Sequence, residues 1–86
     1  MARLPADEDY ARALLSIFQA RKIRARQSLR LSEAQAAFLR GNMGRLADFE
    51  AALQYAMSRG WLAVALDMIR LTVPGAEEIQ SVGGFL

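Results

Sequence analysis

The chain has 86 residues, 53% hydrophobic and 23% charged, with eleven basic against nine acidic side chains and a formal net charge of +2. That length holds one domain, residues 1–86, around a single modest core, and the composition is that of a globular chain rather than a disordered one. With no cysteine and no histidine, a disulfide framework, a thiolate nucleophile, thiolate or imidazole metal sites and the commonest general base all drop out, so no cofactor, metal or catalysis is expected.

The N-terminal Met1-Ala2-Arg3-Leu4-Pro5 lacks an apolar stretch before Asp7-Glu8-Asp9, and no run approaches the roughly 20 apolar residues that span a bilayer. A cytoplasmic protein without a membrane partner is the expectation. Asp7 can cap a first helix, with Glu8 and Asp9 in the turn where carboxylates oppose the macrodipole. Tyr10, Leu14, Ile17 and Phe18 share one face of it at helical spacing. Arg21 would continue that face, so the helix ends near it or the guanidinium snorkels past the core edge.

The basic excess concentrates in Arg21, Lys22, Arg24, Arg26 and Arg30, while residues 46–86 are net acidic. Clustered arginine can neutralise phosphates, and a solvated surface of an arginine-rich chain gives the same pattern. Ser28-Leu29-Arg30-Leu31 alternates polar and apolar and reads as a short first strand. Ser32 and Gln35 then fit a capping box opening a second helix, with Ala34, Ala37 and Phe38 inward and Gly41 in the left-handed conformation that ends it. Leu46, Phe49, Leu53 and Met57 form the apolar stripe of a third helix, which Gly60 terminates. The opposite face carries Ala47, Ala51, Tyr55 and Ser58.

After Gly60 two readings stand. Trp61–Ala65 and Ile69–Thr72 can pair as a hairpin around Leu66-Asp67-Met68, or residues 61–71 can form a fourth helix, which makes the chain an all-α bundle. The hairpin is preferred because Gly60 separates the stretch from the third helix. Thr72 caps a last short helix holding Pro74, Glu77 and Glu78, and residues 79–86, with Gly83-Gly84, read as a mobile tail.

A tight turn at Gly41-Asn42-Met43-Gly44, a helix stopping at Arg59-Gly60-Trp61-Leu62, a hairpin and the exit Leu71-Thr72-Val73-Pro74-Gly75 resemble the back half of a winged helix-turn-helix domain. This group is dominated by bacterial transcription regulators, and the resemblance covers residues 7–78. It implies a mainly α fold with a small β-hairpin: a three-helix core, a wing and a short C-terminal helix. It also implies a regulator that binds double-stranded DNA, as a homodimer through its terminal helices. The third helix would enter the major groove and the wing would touch the backbone or minor groove.

By that resemblance Asn42, Arg45 and Asp48 stand at the leading end of the recognition helix; Arg21, Lys22, Arg24, Arg26 and Arg30, whose clustered charge suits phosphates, lie between the first two helices, away from the main base-reading surface. Arg45 offers a fork to guanine O6 and N7, while Asn42 reads adenine or caps the helix. The wing tip Leu66-Asp67-Met68 is without a basic residue and Asp67 repels phosphate. The alternative is therefore a module that binds another protein through Ala47, Ala51 and Tyr55, where small side chains allow close helix approach. An enzyme is the weakest class. Gly41-x-x-Gly44 has no Walker context, and the serines have no histidine or Ser-x-x-Lys partner.

Overall fold

The computed structural model describes residues 7–83, with side chains through residue 80. Helix α1 (Asp7–Ala20) opens on its three carboxylates and buries Ala11, Leu14, Leu15, Ile17 and Phe18, with Tyr10 at the core margin. It stops before Arg21, whose guanidinium turns outward to Glu33 at 3.3 Å. A loop leads to strand β1 (Ser28–Arg30), helix α2 (Leu31–Arg40) and helix α3 (Leu46–Ser58). Strands β2 (Leu62–Ala65) and β3 (Met68–Leu71) follow, then helix α4 (Val73–Gly83). Among the described residues no helix is long and apolar enough to cross a membrane.

Three of the helices end by one device. Lys22, Asn42 and Gly60 each take positive φ (59°, 55° and 75°). The next residue's N–H reaches back across the last turn: Ile23 to Phe18 O at 2.9 Å, Met43 to Phe38 O at 3.2 Å and Trp61 to Ala56 O at 2.8 Å. The N–H of each left-handed residue bonds the carbonyl three positions earlier, which completes a Schellman closure. Each following residue is apolar and packs on the core. Gly41 has φ −81°, so the left-handed position after α2 belongs to Asn42, whose short amide tolerates it.

Residues 62–71 form the hairpin, which removes the fourth-helix reading and with it the all-α bundle. The reason is period two: Leu62, Ile69 and Leu71 are buried while Ala65 and Arg70 face solvent, a pattern no helix face accommodates. The turn is two residues long, with Leu66 at φ 57°. Strand β3 lies between β1 and β2, antiparallel to both, in the register Leu29↔Ile69↔Val64. Among the described residues the result is a mainly helical fold of four helices and a small three-stranded antiparallel sheet.

Two expected features are corrected. Helix α2 begins at Leu31, with Arg30 as its N-cap and no side-chain cap bond, so Ser32 lies inside the first turn and the Ser32/Gln35 box does not form. The sheet decides this, because the Leu31 N–H is taken by the Asp67 carbonyl at 2.7 Å. Helix α3 buries Phe49, Ala52 and Ala56, whereas Leu46 and Met57 are 47% and 40% exposed. Here α1 packs along α3 more extensively than any other pair of elements. Ala11, Ala52 and Ala56 are fully buried, and alanine permits the close approach that larger residues would block. Phe18, Phe38 and Phe49 fill the remaining core, with the Phe38 and Phe49 rings edge-on at 5.5 Å.

Thr72 does cap α4. Its hydroxyl accepts the Gly75 N–H at 3.0 Å and donates to the Trp61 carbonyl at 2.8 Å. A Cβ at Gly75 would overlap that carbonyl oxygen, so only glycine lets α4 start so close to β2. The helix continues through Gly83, so residues 79–83 of the expected tail are helical, and residues 84–86, including the Phe85-Leu86 end, lie outside the described residues.

Candidate nucleic-acid interface

Alternation along β1 and β3 sends Leu29, Ile69 and Leu71 inward and Ser28, Arg30, Met68 and Arg70 outward. Ser28 lies directly opposite Arg70, which in turn lies opposite Ala63 on β2. Arg26, in the left-handed conformation with φ 74°, is tied to the end of β3: its N–H donates to Leu71 O at 2.6 Å, and Leu71 N–H donates to Gln27 O at 2.9 Å. Arg26 and Arg70 line one shallow depression, and Ser28 and Arg70 line the next beside Ala63 and Ala65. Arg26, Arg70 and Ser28 therefore form a strip on the outer sheet side, Arg30 follows Ser28 on the same face of β1 opposite Met68, and the neighbouring alanines leave the surface low.

The five basic residues of the 21–30 run separate. Arg21 is paired with Glu33, Lys22 and Arg24 turn to a cavity against α4, and Arg26 and Arg30 belong to the strip. Among the described residues Lys22, Arg24, Arg26, Arg30 and Arg70 make no salt bridge. Arg70 is the residue that reading by charge runs overlooks. Its signal is the alternation Ile69-Arg70-Leu71, which sets it apart from two buried neighbours.

The leading end of α3 is organised differently from expectation. Asp48 accepts the Arg45 N–H at 2.8 Å, so its carboxylate closes the helix start instead of facing outward to read bases. Arg45 is the N-cap residue of α3, so Asn42 does not cap it and instead shapes the preceding turn. The Arg45 side chain is exposed. The outward face of α3 presents Leu46, Ala47, Glu50, Gln54 and Met57, with one carboxylate and no cation. At the hairpin tip Leu66 is 96% exposed beside the exposed Asp67.

Tyr55 does not belong to that outward face. It is half-buried, its ring meets Trp61 edge-on at 5.8 Å, and its hydroxyl donates to Glu8 at 3.3 Å. Ala51 is half-buried as well, and only Ala47 and Ser58 of the expected surface are exposed. Around Trp61 the polar groups close on themselves. Arg12 bonds Glu8 at 3.0 Å and Glu78 at 3.4 Å, and the Arg12 and Arg59 guanidinium carbons stand 5.2 and 5.6 Å from the Trp61 ring centre. Burial works against the Arg12 charge, but the bonds to Glu8 and Glu78 outweigh it and hold its pKa above the ordinary value. Among the described residues no buried side-chain polar atom is without a partner.

No protein-family model, curated protein or solved structure matches the chain.

Proposed function

We propose that this is a small winged helix-turn-helix protein that binds double-stranded DNA mainly through its phosphates, without catalysis and without a metal or cofactor. The element order supports the fold part of this reading: helix, strand, helix, tight turn, helix, hairpin, with the first strand paired to the outside of the hairpin. The carrying observation for function is the strip Arg26, Arg70, Arg30 with Ser28, cationic and free of carboxylate partners among the described residues. Guanidinium groups spaced along a low, flat face suit phosphate oxygens. Helix α3 contributes Arg45 at its leading end and little else that reads bases, so affinity depends on salt more than on sequence.

Anisotropy of a labelled mixed-sequence duplex across a salt series tests this. Binding should weaken steeply with salt, and Arg26→Ala with Arg70→Ala should flatten the log–log slope by about two, near 0.9 per lost phosphate contact. Arg45→Ala should flatten it by about one. No binding at low salt, or a slope unmoved by the double variant, would exclude the proposal.

One observation favours a second reading, a module that docks a protein partner, a second copy included. The outward face of α3 exposes Leu46 and Met57 around Glu50 and Gln54, a surface suited to apolar contact and poorly suited to phosphate. In that case Leu46→Ser with Met57→Ser abolishes partner binding or self-association and leaves any duplex binding as it was.

A further inference from the structure

Beyond the arginine strip, a second cationic feature has a separate geometry. The end of α1, the loop at residues 22–25 and the Ala76, Ile79 and Gln80 side of α4 surround an open cavity of about 560 Å³, within the range of small-molecule sites, about 300–1,000 Å³. Its floor is apolar, made by Ile23, Leu71, Ala76 and Ile79. Its rim carries Lys22 and Arg24, and among the described residues no carboxylate side chain lines it. We infer that this cavity binds a small amphipathic carboxylate, an aliphatic or aromatic acid of about eight heavy atoms or more, with its apolar body on the floor and its anion between Lys22 and Arg24.

Three observations carry this. First, the cations have no competing partner: neither Lys22 nor Arg24 forms a salt bridge among the described residues. Second, the loop wall is tied to the sheet before any ligand arrives. Arg24 N–H donates to Gln27 Oε1 at 2.8 Å, and the Arg26 and Gln27 backbone is bonded to Leu71, so binding does not have to order the loop. Third, Lys22 occupies a left-handed position at φ 59°, where glycine is the favoured residue and a side chain costs about 1 kcal/mol. An ammonium held there at a conformational cost stands at the mouth of an apolar cavity. Gln19 and Gln80 on the flanking walls add amide donors.

The inference does not depend on DNA binding, and its test uses none. The uniformly ¹⁵N-labelled full chain is titrated with octanoate, 1-octanol and octylammonium, which share one chain length and differ in charge. Octanoate should shift amides of residues 19–25, 71 and 76–80 saturably, and bind about tenfold tighter than octanol, as one charge-assisted hydrogen bond provides. Lys22→Gly with Arg24→Gln should bring octanoate to the affinity of octanol and leave octanol unchanged. The glycine relieves the left-handed strain, so this variant keeps its fold. Equal binding of octylammonium, shifts scattered away from the cavity, or no saturable shift at millimolar octanoate would each overturn the inference. So would binding to phosphatidylglycerol vesicles without any response to monomeric octanoate, which would make the site a membrane contact.

Discussion

Arg12 and Arg70 carry the same guanidinium in opposite surroundings. Around Trp61 the arginines find partners within the fold: Arg12 meets Glu8 and Glu78, Tyr55 reaches Glu8, and Arg12 and Arg59 approach the indole. On the outer sheet face Arg26, Arg30 and Arg70 meet none among the described residues. The first group ties α1, α3, α4 and Trp61, the residue before β2, together, and the Arg12 charge is spent inside the fold. The second contributes nothing visible to the fold and leaves its charge available to a ligand. A residue's pairing, more than its type, therefore separates the arginines that hold this protein together from those that can act.

That contrast can be broken in order of expected effect. Gly75→Ala should be the most damaging single change on the Trp61 side, destabilising by about 3 kcal/mol in urea unfolding because the new Cβ meets the Trp61 carbonyl. Arg26→Ala with Arg70→Ala should do the reverse. The unfolding free energy from urea titration should stay within about 0.5 kcal/mol of the parent, as for surface residues without partners, while the duplex salt slope flattens. Arg12→Ala should cost about 1 kcal/mol, since its ion pairs are partly exposed and screened and its approach to Trp61 adds a modest cation–π contribution, with duplex binding unchanged. A loss of duplex binding in the folded Arg12 variant would dissolve the distinction. Smallest, Leu66→Gly should stabilise by about 0.5 kcal/mol, because it relieves the positive φ of a residue that buries almost nothing.

Much of the framework was legible in residue order. The α1 stripe, the Gly60 stop, the Thr72 cap and the hairpin follow from local chemistry. What escaped was set by distant partners. Ser32 and Gln35 have the spacing of a capping box, but pairing of β1 with β3 moves the N-cap of α2 two residues earlier, to Arg30. Leu46 and Met57 look like core, yet the close approach of α1 gives the buried face of α3 to Ala52 and Ala56. Gly41 looked like the left-handed residue. The sharper cue was the apolar residue after the true position, shared by Lys22-Ile23, Asn42-Met43 and Gly60-Trp61. Among the basic residues, charge density marked the 21–30 run but could not divide it between two surfaces, nor add Arg70 from 40 residues further on.

The bond from the Leu31 N–H to the Asp67 carbonyl bears on the order in which the chain acquires structure. Helix α2 has no local side-chain cap, and a ten-residue helix is marginal in isolation. Its first turn is completed only when the hairpin tip, 36 positions along the chain, has arrived. Amide exchange should therefore report α2 and the β2–β3 turn opening together as one cooperative unit, with α1 and α3 persisting as a separate and slower one. A peptide covering residues 28–44 alone should be largely unstructured in water.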